Sequence, residues 1–315
     1  MSATARRAAL AAAAVLALAV FGYASASPDY ALGQATLVIT YAIAGLGLVI
    51  VVGHGGQIAL GHGALVALGA YTQALLVARG LPPLLALPLA MAAGGAGGAL
   101  ASLPARRLGG LYFGISTLAF ALMVEEALVR WESLTRGSAG LGVAAFSVGG
   151  WSATAPAAQL GVSAVLLALA WAGCRRLLAS RIGRAWRALR EDEMAAQACG
   201  IAAGPSIALA FTAGGALAGL GGALYAHWIG YLSPEQFGLR FSFELLMLVF
   251  IGGARRLAGA LWGALVIVAL PQLIALARDA LPGDTLRSAG VETLLFGALI
   301  VAAVLLRPQG LAGGR

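Results

Sequence analysis

The stretch "PSIALAFTAGGALAGLGGALYAHWI", Pro205 to Ile229, contains no Asp, Glu, Lys or Arg. A helix needs about 20 such residues to cross a bilayer core, and a run this continuous does not suit the alternating strands of a membrane barrel. In lipid each backbone N–H and C=O must find its partner within the segment, which a helix provides. Gly215 and Gly219 stand four apart, as do Ala218 and Gly222. Small residues therefore share a helix face and admit a close backbone neighbour, where lipid supplies no hydrophobic drive between helices.

Working outward, the same criterion marks nine further candidate spans. Before Pro205 lie Ala8 to Ser27, Leu32 to Val52, Gln57 to Ala78, Pro82 to Leu103, Leu108 to Val129 and Ala157 to Cys174. After it come Leu239 to Gly253, Leu257 to Ala277 and Gly290 to Leu306. The eighth span overall, Leu239 to Gly253, is short and carries Glu244, which predicts a broken or re-entrant element; Gly259 and Gly263 repeat the small-residue spacing in the ninth. Composition agrees: 61% of residues are hydrophobic and 10% charged, with mean hydropathy +0.92, against roughly 25% charged in soluble domains. The expected fold is an all-α integral membrane protein of about ten transmembrane helices, one domain over residues 1–315 with a loop at 175–204.

All basic residues are arginine, and their placement sets an orientation. With both termini inside, Arg79, Arg130, Arg136, Arg240, Arg278 and Arg287 fall outside or at that interface, which leaves fourteen of the twenty arginines on the cytoplasmic side. The net charge of +8 is read as membrane topology rather than nucleic-acid binding, because the arginines form short clusters between apolar runs. The start "RRAALAAAAVLALAVFGYASAS", Arg6 to Ser27, also fits a cleaved signal peptide, but its apolar run is long enough to span and is read as an uncleaved first helix.

Several function classes are excluded. With no lysine, a P-loop of the form G-x-x-x-x-G-K-[ST] cannot exist, so the chain has no ATPase site of that type. The three histidines show no zinc-ligand spacing, and no paired catalytic constellation or cofactor motif is present. Cys174 and Cys199 are too few for a disulfide scaffold and read as small apolar fillers.

Between the sixth and seventh spans stands a charged island, "SRIGRAWRALREDEMAAQACGI", Ser180 to Ile201. The reading is one amphipathic helix bounded by Gly183 and Gly200, with Arg187 and Glu191 at i, i+4 and Arg190 and Glu193 at i, i+3. A solvated positive-inside loop would need neither the acidic triplet Glu191, Asp192 and Glu193 nor the embedded Trp186; both suit docking of a partner protein, with an aromatic anchor and complementary charge.

The segment "GRAWRALREDEMAAQACGI" resembles the cytoplasmic coupling segment of LivM-type permeases, the membrane subunits of ABC importers for branched-chain amino acids. Further stretches resemble that family in the same order: "GHGGQIALGHGALVALGAYTQALL" from Gly53, "LGGLYFGISTLAFALMVEEAL" from Leu108, "TRGSAGL" from Thr135, "AGLGGALYAHWIGYLSPEQFG" from Ala218, "SFELLMLVFIGG" from Ser242 and "RPQGL" from Arg307. The resemblance implies a homologous second permease of LivH type, two ABC ATPase subunits, a periplasmic or extracellular substrate-binding protein, and residence in a bacterial inner membrane. Arg184, Trp186, Arg187, Arg190, Glu191, Asp192 and Glu193 would then meet the ATPase. The chain departs from the family at "GGARRLAGA", where Arg255 and Arg256 replace small residues, and in the histidine-rich "GHGG" at Gly53. Relatives of this family also carry urea and short amides, so the ligand stays open between these and leucine, isoleucine or valine.

Polar groups inside apolar spans are costly and often functional. His54, Gln57, His62, Tyr71 and Glu244 are the candidates for a translocation pathway, Glu244 above the rest because a carboxylate at depth needs a buried partner or a wet path. The same residues leave a stand-alone proton-coupled transporter as the alternative.

Overall fold

A computed structural model of the chain describes residues 28–106, 108–148, 151–280, 297 and 310–312. The expected spans Ala8 to Ser27 and Gly290 to Leu306, Gly297 excepted, lie outside the described residues. The first described helix, α1 (Pro28–Leu48), runs on as a π-turn (Val49–His54). There follow α2 (His62–Ala78), α3 (Pro83–Ala101), α4 (Gly110–Arg130), the one-turn α5 (Glu132–Thr135) and α6 (Pro156–Ala179). The island holds α7 (Arg181–Glu191) and α8 (Glu193–Ala198); α9 (Ala203–Ile229), α10 (Leu239–Gly252) and α11 (Leu257–Ala280) complete the order. Among the described residues strand structure is confined to two-residue pieces: β1 (Leu141–Gly142) pairs antiparallel with β4 (Tyr231–Leu232), and β2 (Ser147–Val148) with β3 (Trp151–Ser152).

Among the described residues five helices are long and apolar enough to cross a membrane. A sixth span results if Pro234–Gly252 and Leu257–Leu273, bent by 119°, count as one. The broken element expected at Leu239 to Gly253 is thus joined to the ninth candidate span, with a sharp bend between them. The third span differs from expectation. Its helix starts at His62 instead of Gln57 and has 17 residues. The irregular backbone before it is partly buried, and side chains satisfy it and the first turn of the helix: Leu60 N–H donates to Thr117 Oγ1 at 3.0 Å and Gly63 N–H to Ser242 Oγ at 3.1 Å.

At the centre, α9 packs against α3, α2 and α1. The glycine spacing explains how: a Cβ on Gly219 would strike Ala90 O, one on Gly215 would strike Gly94 O, and one on Gly222 would strike Val66 O. Backbones touch directly there, and dispersion between them replaces the missing hydrophobic drive. Phe113 and Phe211 add an edge-to-face contact at 5.2 Å. By contrast α6 lies at the periphery: 11% of its most apolar window is buried, against 72% for α9. It leans on α1 and turns Val165 and Leu169 outward.

The α10–α11 bend is built the same way. Gly253 adopts φ 109°, which side-chain-bearing residues rarely take, and a Cβ on Gly252 would strike Gly259 O. Leu311 N–H and Ala312 N–H donate to Ile251 O and Gly252 O, each at 2.8 Å. These bonds satisfy carbonyls that the end of α10 would otherwise leave open. Arg255 and Arg256, the departure from small residues noted above, sit exposed on the turn.

Helix direction sorts the arginines. Those of 175–190 and the α10–α11 turn gather at one end of the bundle, the arginine-rich end, while Arg79, Arg130, Arg136 and Arg240 lie toward the other.

Candidate functional site

The island at the arginine-rich end is two helices, not one. Ser180, not Gly183, starts α7: its Oγ accepts from Ile182 N–H at 3.2 Å. Gly183 is a packing position instead, where a Cβ would run into Leu178 O. Asp192 then leaves helical geometry at φ −155°, ψ 110° and caps α8 through Ala195 N–H at 3.0 Å. A short carboxylate that can bond the backbone two or three residues on favours a new N-terminus over continuing the old helix.

The expected Arg187–Glu191 and Arg190–Glu193 pairs are replaced by other bonds. Arg187 Nη1 donates to Leu178 O at 3.1 Å, and Arg190 Nη1 donates to Gly53 O at 2.7 Å. Glu191 pairs with the neighbouring Arg190 at 2.5 Å, and that guanidinium holds its carboxyl below the ordinary carboxylate range. Glu193 accepts from Gln197 at 3.1 Å. Trp186, expected as an outward anchor, is turned in: it is 1% exposed and its Nε1–H donates to Ser206 O at 2.8 Å, at the start of α9. Burying the indole against α9 satisfies its one donor and removes its large apolar surface from water.

Of the seven island residues expected to meet a partner, Trp186 and Arg190 are drawn inward and the others, Arg187 among them, stay exposed. Arg184, Glu191, Asp192 and Glu193 are exposed, and Met194, which sequence reasoning passed over, is 77% exposed. Beside it opens a groove of about 540 Å³ lined by Glu193, Gln197, Gly200, Ile201, Pro205 and Ala105, among others. An unbranched apolar side chain next to a mixed groove is adaptable contact surface. Cys199, read as a filler, is exposed on the same segment, whereas Cys174 is buried.

The five pathway candidates do not form one cluster. His54 is buried in the π-turn with Nδ1 3.1 Å from Val49 O, and Gln57 lies half-buried in the loop beyond. His62 opens α2, its Nε2 3.3 Å from Ala44 O on α1, with Nδ1 buried and unpartnered. Tyr71 lies farther along α2 against Phe237, ring centroids 6.2 Å apart. Glu244 is no isolated carboxylate: Arg240, one turn earlier on α10, pairs with it at 3.0 Å, the glutamate side chain 19% and the arginine 91% exposed. Next to this pair the rings of Tyr41, Tyr225, Phe237 and Phe241 form a contiguous group with centroid separations between 5.5 and 6.5 Å.

A polar link that sequence reasoning missed runs through His227. Its Nδ1–H donates to Ala144 O at 2.8 Å, so its Nε2 accepts from Gln73 Nε2–H at 2.9 Å, and Gln73 also donates to Pro83 O at 3.0 Å. Three elements and the loop before β2 are joined by one imidazole. His227 lies among apolar residues near the end of a span, and only that position marked it. No group of three His, Cys, Asp or Glu able to hold a metal occurs among the described residues.

Residues 30–304 match the family model described as "Branched-chain amino acid transport system / permease component". The chain is 32% identical over 302 residues to the high-affinity branched-chain amino acid transport system permease protein LivM of Escherichia coli, covering 88% of this chain and 68% of the relative. LivM of Salmonella typhimurium matches to the same extent. LivH of Salmonella typhimurium is 28% identical over 303 residues, covering 88% of this chain and 92% of the relative. No solved structure matches significantly. A helical bundle sealed by backbone contact, a charged two-helix island at one end and a family match over most of its length together make this chain a member of the branched-chain amino acid transport system permease family.

Proposed function

We propose that the chain is one of two homologous permease subunits of an ABC importer, that it carries branched-chain amino acids across a bacterial inner membrane, and that its α7–α8 island seats an ATPase subunit on the cytoplasmic side. Its relatives include both LivM and LivH, which supports a paired arrangement of like subunits. The substrate class rests on the printed function of those relatives. A periplasmic binding protein would supply the ligand at the other end.

The observation that carries the docking reading is Met194, exposed at the tip of an island that is itself locked to the bundle through Trp186, Arg187 and Arg190. A floppy charged loop would not spend its tryptophan and two arginines on internal anchorage. A pre-organised projection loses little freedom when a partner closes over it. The ATPase then contacts Met194, Arg184 and the acidic groups beside the 540 Å³ groove.

The test is Met194→Glu in the complex expressed with its ATPases. A carboxylate placed in a desolvated contact costs several kcal/mol, whereas on free surface it costs nearly nothing. The variant should insert at normal level and fail to retain the tagged ATPase. Wild-type retention would show that the island is not the seat.

The translocation path is proposed to run beside the ring group of Tyr41, Tyr225, Phe237 and Phe241 at Glu244, where aromatic faces and a carboxylate suit an ammonium-bearing apolar ligand.

A further inference from the structure

The end of α1 departs from the ordinary helical ladder. Gly55 N–H reaches back to Ile50 O at 2.8 Å and Gln57 N–H to Val51 O at 3.2 Å, so the donor that would normally serve Gly53 O is used elsewhere. Such π-turns recur at functional sites because they free backbone groups and leave a helix able to change its winding. The open acceptor at Gly53 is taken by Arg190 Nη1, from the last turn of α7, at 2.7 Å. The arginine stem lies over Gly56, which has φ 67°; a Cβ there would come within 2.8 Å of Arg190 Cγ. With its side chain only 20% exposed, Arg190 is a seated strut rather than a surface charge.

The contact continues past Gly53. A Cβ on that glycine would strike Ala254 O, so the π-turn rests directly on the backbone of the α10–α11 bend. The bend is fastened from behind by Gly310–Ala312 through the two bonds to Ile251 O and Gly252 O. Island, π-turn and bend are therefore one chain of contacts in which the first link is Arg190, its Cα and stem against Gly56 and its charged donor on Gly53 O.

We infer that Arg190 is the positioning residue through which displacement of the α7–α8 island reaches the π-turn of α1 and the α10–α11 bend, so that it transmits the ATPase stroke without itself touching the ATPase. This rests on the island being the ATPase seat. Without that bond a push on α7 would pass to other elements, because its other side-chain fastenings, Trp186 on Ser206, Arg184 on Ala179 and Arg187 on Leu178, lead to α9 and α6 and bypass the bend.

The experiment uses the assembled importer in proteoliposomes, with radiolabelled leucine, its binding protein and ATP, and compares Arg190→Met, Arg190→Lys and Arg181→Ala. Methionine keeps an unbranched stem over Gly56 and removes the donor. The inference expects Arg190→Met to retain its ATPases and hydrolyse ATP within about twofold of wild type, while leucine carried per ATP falls about tenfold or more, within the range of inter-site couplings. Arg190→Lys should recover much of that ratio, since an ammonium can still reach Gly53 O, and Arg181→Ala, at an exposed position in the first turn of α7, should leave it unchanged. An unaltered ratio in Arg190→Met would make the residue a spectator, and loss of the complex in that variant would make it a folding residue; either overturns the inference. If the wild-type chain itself does not retain ATPases, the failure belongs to the docking reading.

Discussion

Single residues carry charge in this chain where composition leaves almost none to spare, and Glu244 and Trp186 show how far position decides their meaning. As a carboxylate within a short apolar stretch, Glu244 looks isolated. In the fold it faces Arg240 across one helical turn with the arginine in the open. Such a half-exposed pair is worth about 0–1 kcal/mol, so removing it should not endanger folding. Glu244→Gln is expected to insert and unfold as wild type does, yet to cut leucine uptake roughly tenfold, the equivalent of about 1.4 kcal/mol of lost stabilisation for the passing ligand. Vesicle uptake beside a thermal unfolding curve separates the two quantities, and wild-type uptake would return Glu244 to a purely structural role. Trp186 was legible as an aromatic set among charges, which is equally the mark of a docking anchor and of a buried brace. Only the 2.8 Å bond to Ser206 O, twenty residues away, chooses the brace.

At the scale of elements, the glycine pairs of α9 announced close packing but not the neighbour. The structure supplies α3 on one face, through Gly94 and Ala90, and α2 and α1 on others. Because backbone atoms meet there, no side chain can rotate aside to make room. Gly219→Val should therefore abolish recoverable folded protein in detergent, the cost exceeding the 1–3 kcal/mol of ordinary overpacking. Gly161→Val on peripheral α6, where a Cβ meets nothing within 4 Å, should leave yield and unfolding temperature near wild type. Equal yields of the two variants, read by size-exclusion chromatography, would mean that the α3–α9 contact is not what holds the bundle. The break of the island at Asp192 was hidden for a related reason: i, i+3 and i, i+4 charges predict a continuous helix, whereas the capping bond to Ala195 N–H outweighs them.

For the whole molecule, the segregation of arginines that the sequence shows is matched by helices that alternate direction, so that residues 175–190 and the α10–α11 turn share an end. Placing that end in the cytoplasm predicts that a reporter fused after Arg315 is active as a cytoplasmic protein and one inserted near Ser152 as a periplasmic one; a periplasmic signal at Arg315 would overturn the assigned orientation. The sequence by itself determined the solvent and the family. Long apolar runs demand lipid, the absence of lysine removes a P-loop, and ordered stretches such as "GRAWRALREDEMAAQACGI" bring the permease resemblance, because these are local properties that any chain with those residues must have. Only the tertiary structure decided which polar groups look inward. Arg190 on Gly53, Trp186 on Ser206, His227 between Gln73 and Ala144, and the strap of Gly310–Ala312 on α10 each join residues far apart in the chain. Hydrogen-bond partners of that kind are set by which backbone carbonyls are left open when helices end or unwind, and no spacing along the sequence encodes where those ends will meet.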